Sequence, residues 1–192
     1  MGMDVHGENP KQNKALEHFP VLHKYTQMEK KDGNDGIDGF KQKWEELDAD
    51  HDLREQYWKE QNEYDEINKG HYFRNNCWWW RPLWDFCYNF TDGIISEELW
   101  NSGHSNCGAG LDEAGAIELG NALMKLLKEG VVDKHEQAYK ETMEARQGKA
   151  KLEAETNGKK FSDIGDWSYP FEADNVEEFA EFCLESGGFK IC

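Results

Sequence analysis

The segment Cys77-Trp-Trp-Trp-Arg-Pro-Leu-Trp-Asp-Phe-Cys87 constrains this chain most. Its indoles must find a core, because burying one large apolar side chain stabilises a fold by about 1.5–3 kcal/mol. Pro82 suits the first turn of a helix, where a missing N–H costs nothing. From that start Leu83, Trp84, Cys87, Tyr88 and Phe90 predict a broad buried stripe. With about 3.6 residues per turn, Trp78, Trp79 and Trp80 cannot all face inward. At least one is expected to be exposed or to line a cleft. Beside it, Arg74, Asn75, Asn76 and Arg81 would supply amide and guanidinium donors around a flat ring, an arrangement suited to a small, planar, anionic ligand.

On either side of this segment the chain reads as alternating helices and loops. Met1–Gly7 alternates like a short strand and stops at the turn signal Glu8-Asn9-Pro10. Residues 11–36 look irregular. From Phe40 to Lys69 the charge is dense, and aromatic or aliphatic residues interrupt it at helical intervals, predicting one or two amphipathic helices ended by Gly70. Asn101–Gly110 is a glycine-rich loop. A helix should follow over 112–129, with Ile117, Leu119, Leu123, Leu126 and Leu127 inside and Ala116 and Gly120 small enough for a close neighbour. A more polar helix is expected from Val131 to Thr156. Asp174-Asn-Val-Glu177 has the spacing of a capping box. The helix after it carries Val176, Phe179, Ala180, Cys183 and Leu184 on one face, and Phe189–Cys192 closes the chain as a strand. The fold class expected is α+β: one mostly helical domain with short strands at the N- and C-termini, and 11–69 as an acidic helical insertion.

Three segments, Met1-Gly-Met-Asp-Val-His-Gly-Glu-Asn-Pro10, Tyr72-Phe-Arg-Asn-Asn-Cys-Trp-Trp-Trp-Arg-Pro-Leu-Trp84 and Ser186-Gly-Gly-Phe-Lys-Ile-Cys192, resemble those of a family of uncharacterised proteins carried by bacteriophages and some bacteria. In that family the first segment is soon followed by the second, so the resemblance also implies that 11–69 is an insertion. It implies no catalytic residue. What it implies is a setting: an accessory protein of the host cytoplasm, acting during phage infection.

Other motifs weigh less. Glycines 103, 108 and 110 precede a helix and could admit an anion to backbone N–H groups, with His104 and Asn106 as polar side chains beside it. Their spacing matches neither the P-loop nor the dinucleotide fingerprint. Asp48-Ala-Asp-His-Asp52 mimics the start of a calcium loop but has Leu53 and Lys59 where Gly and Glu are needed. The histidines form no metal-ligand pair, and a site built from His6, His71 and His104 would have to be assembled in space. No nucleophile has an activating local context. The five cysteines, at 77, 87, 107, 183 and 192, show no zinc spacing and suit a reducing cytoplasm without disulfides.

Charge narrows the function classes. Twenty-two Lys and Arg against 39 Asp and Glu give −17. That disfavours nucleic acid or an anionic membrane as partner, and no segment is apolar enough to span a bilayer. The expectation is a non-enzymatic protein without cofactor or metal that sequesters a small nucleotide-like signal, using Arg74, Asn75, Asn76, Trp79, Trp80, Arg81, His104 and Asn106. A homo-oligomer is compatible with it. The alternatives are an acidic inhibitor of a host defence protein acting through 40–69, a DNA mimic being one form of it, and a metal-dependent hydrolase.

Overall fold

The computed structural model describes residues 2–31, 37–158 and 169–192. Among them are eight α-helices and one four-stranded antiparallel sheet, a mostly helical α+β fold. The chain forms two compact units, Met1–Pro10 with Gly70–Cys192, and Lys11–Lys69.

In the first unit the strands β1 (Gly2–Gly7), β2 (Tyr72–Asn76), β3 (Ala109–Leu111) and β4 (Phe189–Ile191) lie in the order β2-β1-β4-β3. Alternation sends Met3, Val5, Phe73, Phe189 and Ile191 inward. They meet the buried faces of α4 (Cys77–Phe90), α6 (Glu113–Lys128) and α8 (Ala173–Glu185) in one core. Phe73 packs on Phe179 and Phe182, 5.0 and 5.9 Å between centroids. The short helix α5 (Glu97–Ser102) and the long α7 (Val131–Thr156) complete the unit.

Helix α4 begins at Cys77, five residues before Pro82, so the proline lies inside the helix and not in its first turn. The start is set instead by Asn76, whose side-chain oxygen accepts the N–H groups of Trp78 and Trp79 at 2.9 and 3.1 Å. The earlier start rotates Trp80 into the core with Leu83, Trp84, Phe86 and Cys87, and leaves Phe90 partly exposed. Trp80 and Trp84 stack at 5.2 Å, and their indole N–H groups donate to the carbonyls of Gly103 and Trp100. Gly103 is required there: a Cβ would lie 2.4 Å from Trp84 Nε1.

Helix α6 presses Gly120 against α8, where a Cβ would come 2.8 Å from Leu184 and 3.0 Å from the Ala180 carbonyl. Leu119 and Leu123 are buried as expected, but Ile117 points to solvent. The glycine-rich loop leads first into β3, a strand too short to announce itself. Helix α8 starts at Ala173, ahead of the expected capping box, and its first N–H is taken by Glu136 of α7 at 2.9 Å.

The second unit is not irregular at its start. A 3-10 turn (Leu16–His18) precedes α1 (Pro20–Lys31); α2 (Ile37–Ala49) and α3 (His51–Ile67) follow. Residues 32–36 lie outside the described residues. Phe19, Leu22, Tyr25, Leu47 and Tyr57 make its core. Glu60 reaches from α3 to accept the N–H groups of Val21 and Leu22 at the start of α1. Buried Asn68 ties the unit's ends: its oxygen accepts from the N–H groups of Asn13 and Lys14, and its amide donates to the carbonyls of Lys14 and Tyr64.

Candidate functional site

The end of β2 and the first turns of α4 and α8 enclose an open cleft of about 610 Å³, lined by Arg74, Asn75, Asn76, Trp79, Glu172, Asp174, Asn175 and Glu178. Each wall has a local cause. Asn76 is fixed by capping α4, which places Trp79 in the first turn and only half-buried. Asn75 shares the inward face of β2 with Phe73, two residues earlier, and near the end of this strand its amide donates to Asn175 at 2.9 Å and clasps β2 to α8. Asp174 and Glu178, four residues apart, share one face of α8.

The electrostatics of the cleft differ from the sequence expectation. Among the described residues Arg74 is its one cation, and that guanidinium lies 3.6 Å from Asp4, which also accepts the Tyr72 hydroxyl. Glu172, Asp174 and Glu178 supply three carboxylates opposite. The arrangement offers an indole face for a ring, carboxylate acceptors for N–H groups, and one guanidinium for a single anionic group. It repels a polyanion.

Of the eight residues expected to bind, the structure brings Arg74, Asn75, Asn76 and Trp79 together. Trp80 is wholly buried and cannot touch a ligand. Arg81 turns elsewhere, donating to the Tyr169 hydroxyl at 3.0 Å, while Trp78 stacks on the Tyr169 ring. His104 sits 3.4 Å from Asp85 with its ring edge-on to Trp100. Asn106 donates to the Gly2 carbonyl at 3.1 Å. The 103–110 loop therefore braces the sheet and α4, and it does not line this cleft. Glu172, Asp174, Asn175 and Glu178 also line the cleft, and the sequence reading does not include them. The four-residue spacing of Asp174 and Glu178 was legible, but in sequence it reads first as helix capping.

Other candidates resolve locally. Asp50 caps α3 by accepting the Leu53 N–H, and Asp48 pairs with Arg54, so the calcium-like string is a helix junction. Among the described residues, the group close enough to share a metal is His51, Asp52 and Glu55, all exposed, and it includes none of His6, His71 and His104. All five cysteines are free thiols; burial pushes Cys87 and Cys183 well up, which keeps them unreactive. No helix among the described residues is long and apolar enough to cross a membrane. No protein-family model, curated protein or solved structure matches this chain.

Proposed function

We propose that this is a non-enzymatic binding protein that holds a small planar ligand rich in N–H donors, of the nucleobase or nucleotide class, in the cleft between Trp79 and α8. The observation that carries the reading is the lining itself: one indole, three amides, three carboxylates and one guanidinium around about 610 Å³. A volume in this range suits a small molecule. A carboxylate accepts from the amino and imino groups of a base, as acidic side chains do from cytosine in DNA recognition. Trp79 supports the ring, and Arg74 meets one phosphate. A nucleoside or monophosphate fits this charge pattern better than a triphosphate. The resemblance to phage-borne proteins supplies a setting, in which holding a nucleotide-derived signal lowers its free concentration by mass action.

Native mass spectrometry with guanosine, guanosine monophosphate, a cyclic dinucleotide and guanosine triphosphate tests this. The nucleoside or monophosphate should be retained intact and the triphosphate weakly or not at all. Stacking on an aromatic side chain contributes about 1–3 kcal/mol, so Trp79→Ala should weaken binding about 5- to 150-fold. Trp79 is not among the side chains packed on the core, so this variant should fold. Absence of binding, or equal binding by Trp79→Ala, would reject the reading. A converted ligand would make the protein an enzyme.

A further inference from the structure

The second unit carries a surface that the cleft does not explain. Phe40 is 52% exposed and Trp58 45%, with Trp44 between them; the centroid distances are 6.1 and 6.0 Å. Single exposed apolar residues are ordinary, but three aromatic rings in contact form a patch, and tryptophan is the residue type most enriched among binding hot spots. Neither Phe40 nor Trp58 belongs to the unit's buried core.

The setting of this patch selects its partner by charge. Beside Trp58, the outer face of α3 forms a shallow groove lined by Glu55, Lys59, Asn62, Glu63 and Glu66. Three carboxylates thus face one ammonium, and one turn earlier Asp52 adds another acid. Glu63 also pairs with Lys14 at 2.8 Å, which leaves Glu55 and Glu66 as the flanking acids. The unit already packs cations on its rings: Lys43 lies 5.3 Å from Trp44 and 4.6 Å from Tyr57, Lys24 4.5 Å from Tyr25, and Lys14 4.5 Å from Phe19. Among the described residues no lysine or arginine lies over Trp58.

We infer that the Phe40–Trp44–Trp58 ridge, with Glu55 and Glu66 beside it, docks an arginine-rich segment of another protein. One guanidinium stacks on Trp58, its neighbours pair with the two carboxylates, and an apolar side chain rests on Phe40 and Trp44. Eleven residues of helix separate Glu55 from Glu66, about 16 Å. An extended peptide spans that distance in about five residues. The segment expected therefore carries arginines about five positions apart around a central one. This surface is independent of the ligand proposed for the cleft.

Fluorescence anisotropy of the full-length protein with a labelled dodecapeptide, arginines at positions 4, 6 and 9 on an alanine–serine background, tests the inference. Its glutamate-substituted counterpart serves as the charge control. The arginine peptide should bind and the glutamate peptide should not. Trp58→Ala should weaken binding at least tenfold, as should the double variant Glu55→Gln, Glu66→Gln. Phe40→Ala, at a more exposed position, should weaken it less. No binding, or equal binding by all variants, would overturn the proposal and leave only the general attraction of a −17 chain. Sedimentation of the protein alone gives a further test, because a dimer lost in Trp58→Ala would assign the ridge to a second copy instead.

Discussion

A side chain's neighbours decide its role, and His135 shows this most clearly. Its ring lies 4.7–5.1 Å from the rings of Phe86, Phe90 and Phe171, and burial lowers its pKa below the ordinary 6.5. A depressed histidine is neutral in the fold while the unfolded chain takes up a proton. The contribution is fully present above about 6.5 and is lost as pH falls toward the folded value. His135→Phe should therefore reduce the drop in melting temperature between pH 7.5 and pH 5; an unchanged drop would show that other groups carry the acid sensitivity. Gly103 is a second residue-scale test, because a methyl there would press on the buried Trp84 ring. Gly103→Ala should cost about 1–3 kcal/mol in denaturant unfolding. The tryptophan run was partly legible at this scale. Helical geometry requires unequal fates for three consecutive indoles, and Trp80 is buried while Trp78 is 43% exposed. Which one faces which neighbour was not legible, because Asn76 caps a helix that starts at Cys77, five residues before Pro82.

A helix bounded by glycine and asparagine signals was readable, whereas α1 and the three-residue strand β3 were not. Helix α7 runs from Val131 to Thr156, because the glycine before it and Asn157-Gly158 after it mark both ends. Helix α1 escaped because its apolar positions Val21, Leu22, Tyr25 and Met28 are few and mixed with His and Lys. Strand β3, with three residues, carries no period at all. Helix α8 shows tertiary contact overriding a local signal. Asp174-Asn-Val-Glu177 has capping spacing, yet the first N–H of the helix is satisfied by Glu136 from another helix. Hydrogen bonds first from Lys140 and then from the Ala173 N–H hold the Glu136 carboxyl below the usual carboxylate range. Glu136→Ala should remove a cap worth about 0.5–2 kcal/mol. It should also loosen the Glu172–Glu178 wall of the cleft, seen as faster amide exchange over 173–176 and weaker ligand binding. Unchanged exchange there would mean that another group satisfies the helix start.

For the whole molecule, the two-unit organisation follows from where chain ends meet. In the first unit β1 and β2 pair antiparallel, His6 opposite Tyr72, and the Gly7 N–H donates to the His71 carbonyl at 3.1 Å. The strands are thus joined where the 11–69 segment leaves and returns. In the second unit Asn68 and Asn13 tie its own ends together, with Asn13 also donating to the Ile67 carbonyl at 2.9 Å. Segments whose termini lie close can be inserted or removed at modest entropic cost. In the sequence, the composition of 11–69 differs sharply from that of the segment after it. The cleft was only half readable, since β2 and α8 lie about a hundred residues apart and nothing local records that they meet. A chain in which a four-residue Gly-Ser linker joins Pro10 to Gly70 should keep a cooperative unfolding transition, because every side chain of the first unit's core lies outside 11–69. It should also retain the cleft ligand while losing the arginine peptide, which would separate the two binding readings within one variant. Loss of cooperative unfolding would instead show that 11–69 is required for the first unit to fold.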